Sequence, residues 1–247
     1  MSAFRNDSAI HYFSQAYELL LEAGEEDTPL GWQVQQYWTE ALEKDDRDEE
    51  AIKQLIELLE KAKRKEMWHV VVNAELSLAR LYEKLGMGVA CRQYLTSAEK
   101  ILTSYQLDSL GARLSIRQAS YHRIFASLDT ARYYTQQAID QASRYRQDDF
   151  LANGYLLMGL LMDSTEWERS IDYFQKAGQI WDTLGNHSAV SFMSLNIARR
   201  NHRNGRWQAA LRYSDASLES VRKAAAKGYD DKSVFWIELC TQSGNLQ

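Results

Sequence analysis

Five histidines, His11, His69, His122, His187 and His202, are the side chains in this chain best suited to proton transfer or metal ligation. Their spacing argues against both roles. No two stand at i, i+4 and no H-E-x-x-H occurs, so no helical face presents paired imidazoles to a metal. The two cysteines, Cys91 and Cys240, lie about 150 residues apart, without the spacing of a metal or redox pair. The acid pairs Asp148-Asp149 and Asp230-Asp231 precede segments expected to be helical, where carboxylates offset the positive end of the helix dipole. There is no Gly-rich phosphate loop, nucleophile elbow or C-x-x-C. Catalysis needs convergent groups, so the expectation is a protein that is not an enzyme and uses no cofactor or metal.

Charge narrows the choice of partners. The net charge is −5, and it is uneven: residues 1–66 hold 16 Asp and Glu against 8 Lys and Arg, while residues 67–247 hold 18 against 21. A nucleic-acid surface would show a basic stripe interleaved with aromatics, and none is visible, so no nucleic acid is expected. The acidic run Asp45-Asp46-Arg47-Asp48-Glu49-Glu50 reads as a helix N-terminus. Met1-Ser2-Ala3-Phe4-Arg5 lacks a secretory apolar core, and the longest apolar run, Tyr155 to Met162, is too short to span a bilayer. A cytoplasmic protein without a membrane segment is expected.

The elements that must position any site announce themselves by repetition. A pattern of small residue, bulky residue three on and small or apolar residue seven on recurs six times. The copies are Ala9/Tyr12/Ala16, Ala51/Gln54/Leu58, Cys91/Tyr94/Ala98, Ala131/Tyr134/Ala138, Ser170/Tyr173/Ala177 and Ala210/Tyr213/Ser217. Successive starts are 42, 40, 40, 39 and 40 residues apart, and the second copy is degenerate. Spacings of three and four share one helical face: small residues admit a neighbouring helix and the ring fills the gap beside them. A fixed period of this size marks a solenoid, whose units bury their apolar faces by stacking. A single proline, Pro29, and 12 glycines leave helices little interrupted.

The pattern predicts one set of helices near 7–23, 47–65, 88–106, 128–147, 167–184 and 207–227. A second set runs near 31–44, 67–85, 108–126, 149–163, 187–203 and 231–242. Turns are expected at Gly24, Gly86-Met87-Gly88, Asp163-Ser164-Thr165, Gly185-Asn186, Asn204-Gly205 and Gly228. Thr165-Glu166-Trp167-Glu168 has the spacing of a capping box. No Pro-, Ser- or Gly-rich linker interrupts the series, so residues 1–247 read as one domain, clearest over 67–227. The segment 231–242, with Val234, Phe235, Trp236, Ile237 and Leu239, reads as a terminal half-repeat or cap, or as the point where a longer protein was cut.

With these residues in place the chain resembles the tetratricopeptide repeat (TPR) family. Gly205-Arg206-Trp207-Gln208-Ala209-Ala210 with Tyr213, Ser214 and Ser217 carries the likeness most clearly. Glu166-Trp167-Glu168-Arg169-Ser170 with Tyr173, Phe174 and Ala177 repeats it, as does Gly86-Met87-Gly88-Val89-Ala90-Cys91 with Tyr94, Leu95 and Ala98. Leu78-Ala79 with Tyr82 supplies the first-helix part, and Ala119 and Ala198 match Ala79. The family's period is about 34 residues, so a period near 40 implies a longer-helix variant, and the proline that usually closes a repeat is missing. The resemblance implies an all-α, right-handed α-solenoid of stacked antiparallel helix pairs.

It also implies a partner-binding groove on the concave face, lined by the first helix of each pair. Aligning on Ala79, Ala119, Met158 and Ala198 projects Gln33, Gln36, Glu40 and Glu43 inward, then Asn73, Leu76, Arg80 and Glu83, then Arg113, Ile116, Ser120 and Arg123. The later pairs project Ala152, Tyr155, Gly159 and Met162, then Phe192, Leu195, Arg199 and His202. The expected partner is a protein or peptide segment with acidic and apolar residues. Arg80, Arg113 and Arg123 would hold its acids, with Asn73 and Arg199 beside them, while Tyr155, Met162, Phe192 and Leu195 would anchor its apolar side chains. Self-association is compatible with such a fold. An alternative is a regulatory sensor domain of a larger bacterial signalling or transcription-control protein.

Overall fold

The computed structural model describes residues 3–226, with side chains from 8 to 225, so the expected turn at Gly228 and the helix expected near 231–242 lie outside the described residues. Among the described residues eleven α-helices follow one another: α1 Ala3–Ala23, α2 Pro29–Lys44, α3 Asp48–Arg64, α4 Trp68–Lys84, α5 Gly88–Ser104, α6 Gly111–Phe125, α7 Leu128–Arg144, α8 Asp148–Leu161, α9 Trp167–Thr183, α10 His187–Arg203 and α11 Trp207–Ala226. A 3-10 turn, Asp108–Leu110, leads into α6, and no strand occurs among the described residues. The all-α expectation holds, with helix ends within a few residues of their expected places.

One joint explains the long period. Asp46, Glu66, Gly86, Gln106, Arg146, Gly185 and Gly205 all have positive φ, each just past a helix end. The next residue's N–H reaches back five residues to a helix carbonyl: Met67 to Ala62 at 2.9 Å, Met87 to Tyr82 at 2.8 Å, Leu107 to Leu102 at 3.0 Å, Arg206 to Asn201 at 2.9 Å. This is a left-handed C-terminal cap that satisfies the carbonyls a helix leaves open. Six of the helices are 17 residues long. Such a helix and its three-residue joint make 20 residues, and two make the period. The sequence places helix breaks beside Asp46, Glu66, Gln106 and Arg146 but does not reveal their left-handed backbone, because no glycine marks them.

Two joints differ. Before α7, Ser127 Oγ accepts from Thr130 N at 3.4 Å. Before α9, Asp163 Oδ1 accepts from Thr165 N at 2.7 Å, Thr165 Oγ1 at 2.6 Å and Glu166 N at 3.1 Å. The expected capping box at Thr165 is therefore not formed: Glu166 holds the N-cap position without a side-chain bond, and Asp163 has taken the Thr165 hydroxyl.

Two compact units divide the chain, Met1–Arg117 and Gln118–Gln247, with the junction inside α6. In the first unit each helix from α1 to α5 packs on the next. The small positions Ala51, Cys91 and Ala98 are buried, beside Leu55, Leu58 and Leu95. Burial pushes the Cys91 thiol up to about 11, so it acts as a small apolar filler. In α1 the buried residues are Ile10, Tyr17 and Leu20, while Tyr12 is 68% exposed. The first copy of the repeat is thus one residue out of register with the core.

Glu75 is buried among α3, α4 and α5; Ser97 Oγ donates to its Oε1 at 2.8 Å, Lys63 Nζ stands 3.7 Å away, and Oε2 has no bond. Burial raises its pKa above the usual glutamate value despite Ser97 and Lys63.

In the second unit α7 to α11 pack in the same consecutive way. The small positions Ala131, Ala138, Ser170, Ala177 and Ser217 are fully buried. The bulky position of the pattern is only half-buried in Tyr94, Tyr134, Tyr173 and Tyr213, and the next residue, Leu95, Thr135 or Phe174, fills the core instead. Two of these half-buried rings stack on an aromatic of the preceding helix. Tyr82 lies on Tyr94 at 5.6 Å and, forty residues on, His122 lies on Tyr134 at 5.3 Å.

Helix α8 is short, and its last carbonyls are taken by side chains. Ser170 Oγ donates to Gly159 O at 2.7 Å, Arg132 to Leu161 O at 3.0 Å, and Arg200 to Met162 O at 3.0 Å and Gly159 O at 3.3 Å. A Cβ on Gly159 would stand 2.7 Å from the buried Phe174 ring, whereas one on Gly178 would meet only Met193 at 3.5 Å.

Three stability predictions follow from these contacts. A Cβ on Gly86, at φ +73, meets nothing within 4 Å, so Gly86→Ala carries backbone strain alone and lowers stability by about 1–2 kcal/mol. Gln106→Gly relieves the same strain and raises the urea midpoint. Gly159→Ala costs about 1–3 kcal/mol through overpacking, while Gly178→Ala gains up to about 1 kcal/mol of helix propensity; equal midpoints for that pair would refute the close α8–α9 contact. Because Glu75 binds its proton more tightly folded than unfolded, its contribution is lost as pH rises through its raised pKa. Glu75→Gln therefore stabilises more at about pH 8 than at about pH 4, read from denaturation midpoints at each pH.

Candidate functional site

The first unit contains a cavity of about 230 Å3 bounded by α2, α3 and α4. Its walls are apolar, from Pro29, Trp32, Leu55, Leu58, Met67, Val70 and Ala74, and its rim is polar, from Gln33, Gln36, His69, Asn73 and Ser77. Local sequence places these groups. Thr28 caps α2 by accepting from Gly31 N at 3.2 Å, and Pro29 takes the first turn, where its missing N–H costs nothing. Trp32 is then fixed by its Nε1, which donates to Asp27 O at 3.1 Å. On α4, Val70, Asn73, Ala74 and Ser77 follow the three-and-four spacing of one helical face.

Charged groups cluster beside this rim. Arg113 of α6 donates to Asn73 Oδ1 at 2.7 Å and to Ser77 Oγ at 3.2 Å. Burial pushes its pKa down to about 10, with Arg117 and Arg80 adding repulsion and Glu40 opposing them; it stays charged at neutral pH. Arg80 forms an ion pair with Glu43. Burial nevertheless raises the Glu43 pKa, an effect larger than the attraction of Arg80 and Lys84. Arg117 is held low by burial and is offset mainly by Glu83. Gln36 Nε2 donates to Glu40 Oε1 at 3.1 Å.

The residues projected from sequence fall in both units. Asn73, Arg80 and Arg113 lie in the first, and the structure brings Asn73 and Arg113 into direct contact. Arg80 is paired with the Glu43 carboxylate, and Arg113 gives one N–H to Asn73 and another to Ser77. In the second unit, Met162 is buried against Ile139 and Met158 rather than facing outward. Tyr155 is half-buried, 6.2 Å from the Tyr173 ring, with Lys176 Nζ 5.7 Å from its centroid. Phe192 is 45% exposed, Leu195 is half-buried, and Arg123 and Arg199 are exposed.

Leu76, Ile116, Ser120, Ala152 and Gly159 were projected onto the groove surface but are buried. The first helix of a pair packs against elements on more than one side; ten of the 17 residues of α4 are buried. Its outward stripe is therefore narrower than a two-sided helix pattern suggests. Trp32, His69, Ser77 and Arg117 were missed. Ser77 and Arg117 stand one period apart, and a small residue exchanged for a long cation at equivalent positions was the available signal.

Among the described residues no group of three or more His, Cys, Asp and Glu could hold a metal, and no helix is long and apolar enough to cross a membrane. Two of the histidines pack against rings: His122 stacks on Tyr134, and His202 meets the Trp207 ring edge-on at 4.7 Å.

No protein-family model matches the chain, and no curated protein matches it in sequence. Solved structures do match in fold. BtubC (BKLC) from P. vanneervenii superposes with a TM-score of 0.66 at 19% identity, covering 92% of this chain and 94% of that one. The apo form of RapI superposes with a TM-score of 0.69 at 18% identity, covering 90% and 79%. At such identities the likeness is one of fold alone. Together with the forty-residue repeat and the consecutively packed helix pairs, it makes this chain a TPR-like, all-α helical repeat protein.

Proposed function

We propose that this protein is an interaction module that takes a segment of another protein, and that a side chain of that segment enters the α2–α4 cavity of the first unit. The observation that carries this reading is a cavity with apolar walls and an amide-rich rim on the first helices of a repeat fold. Its volume of about 230 Å3 falls below the roughly 300–1,000 Å3 of sites that enclose whole small molecules, and it suits one large side chain. Exposed Phe192 and Arg199 on α10 are an apolar and a cationic contact that the second unit offers by itself. The partner segment accordingly carries a bulky apolar residue as its anchor.

Selection of a displayed random peptide library on the intact chain tests the proposal. Selected peptides are expected to share a bulky apolar residue. Gln36→Trp, which covers the cavity mouth, should weaken them at least about tenfold, as loss of one buried anchor does. Leu211→Ser, at an exposed position of α11, should leave affinity unchanged. Peptides that bind Gln36→Trp as tightly as wild type would show that the cavity is not the site.

A further inference from the structure

A guanidinium can only donate hydrogen bonds, and a carboxylate can only accept them. Arg113 therefore fixes the Asn73 carboxamide with Oδ1 toward itself, which leaves both Nδ2 protons to face elsewhere. It also occupies a lone pair of Ser77 Oγ, which leaves that hydroxyl's proton to donate. Across the cavity the logic reverses. Gln36 must give its Nε2 to Glu40, which leaves Gln36 Oε1 as an acceptor. Asn73, Ser77 and Gln36 all line the cavity. The α4 side of the rim thus donates, the α2 side accepts, and each polarity is set by a charged neighbour that need not touch the ligand.

We propose that Arg113 is a positioning residue that makes this rim read one backbone peptide group of an extended peptide, with its carbonyl toward α4 and its N–H toward α2. This rests on the reading of the cavity as a peptide site. In each trans peptide group of an extended segment the C=O and the N–H point to opposite sides of the chain. With an apolar side chain in the cavity, the carbonyl of a peptide group flanking it faces Asn73 and Ser77 and the N–H of that same group faces Gln36. Arg113 makes no carboxylate bond here; its hydrogen-bonding partners are the two neutral rim groups. A merely structural packing role would not require a charge behind those two groups.

The test uses the full chain, isotope-labelled, titrated with three probes and followed by NMR. N-acetyl-leucine N′-methylamide offers the side chain with flanking C=O and N–H, N-acetyl-leucine offers a carboxylate instead, and 4-methyl-1-pentanol offers the apolar group without an amide. In wild type the methylamide should shift Met67 and Val70 methyls together with the Asn73 side-chain amide protons. Asn73→Asp keeps a partner for Arg113 but removes both donors, so it should weaken the methylamide about tenfold or more, melt no lower than wild type, and leave the alcohol's response unchanged. Arg113→Met frees the Asn73 amide to rotate and should lose the amide-proton shift; if that variant does not fold, Asn73→Asp alone decides. Methylamide affinity equal in wild type and Asn73→Asp would overturn the rim-polarity inference while leaving the cavity as a site. Binding of the carboxylate probe alone would overturn the extended-backbone assignment in favour of a chain terminus. No methyl shift with any probe would overturn the peptide-site reading itself.

Discussion

The unpaired carbonyls at the end of every helix are the constraint on which this architecture rests. A helix cannot leave them buried and unbonded, and here most helices solve the problem alike, with one residue in the left-handed region and an N–H reaching back five positions. Because the solution recurs at nearly constant distance, helix length is held constant, and constant length lets small residues such as Ala51, Cys91 and Ala131 meet a neighbouring helix at matching heights. A helix of variable length would bring bulky residues to those heights. The packing of the repeat thus follows from how its helices stop.

The repeat was legible in the sequence because Ala131, Ala138, Ala177 and Ser217 are fully buried positions whose small size recurs at a fixed spacing. The joints at Glu66, Gln106 and Arg146 were not legible, since left-handed backbone is imposed there by the cap against the preference of the residue. The register of α1 was misleading because Ala9 and Ala16 mimic the repeat while Ile10 and Tyr17 face the core. Among the site residues, Asn73 and Arg113 could be named but not their mutual bond, which joins residues one full period apart. Met162 was misplaced because α8 ends early, and its side chain folds into the core with Ile139.

The charged cluster in the first unit shows why side-chain type alone misreads a surface. Three arginines suggest a receptor for acids, yet Arg80 is neutralised by Glu43 and Arg113 serves two neutral groups. Their burial carries a desolvation cost visible in the lowered pKa of Arg113 and Arg117. What this arrangement yields is orientation: amides that would otherwise rotate between two nearly equal states are held in one.

The end of α8 has a different kind of consequence. Its closing carbonyls are bonded by Arg132 from the helix before it and by Arg200 from a helix two places later, beyond α9. A stack of repeats that touched only next neighbours could come apart one helix at a time, like a zip opened from its end. Arg200 removes that freedom here, because lifting α10 strips Met162 O of its Arg200 bond and leaves Gly159 O with Ser170 alone. The four helices α7 to α10 are thereby tied into a single cooperative block, and any unravelling that starts at α11 meets a step at Arg200 where the next increment must break several elements at once.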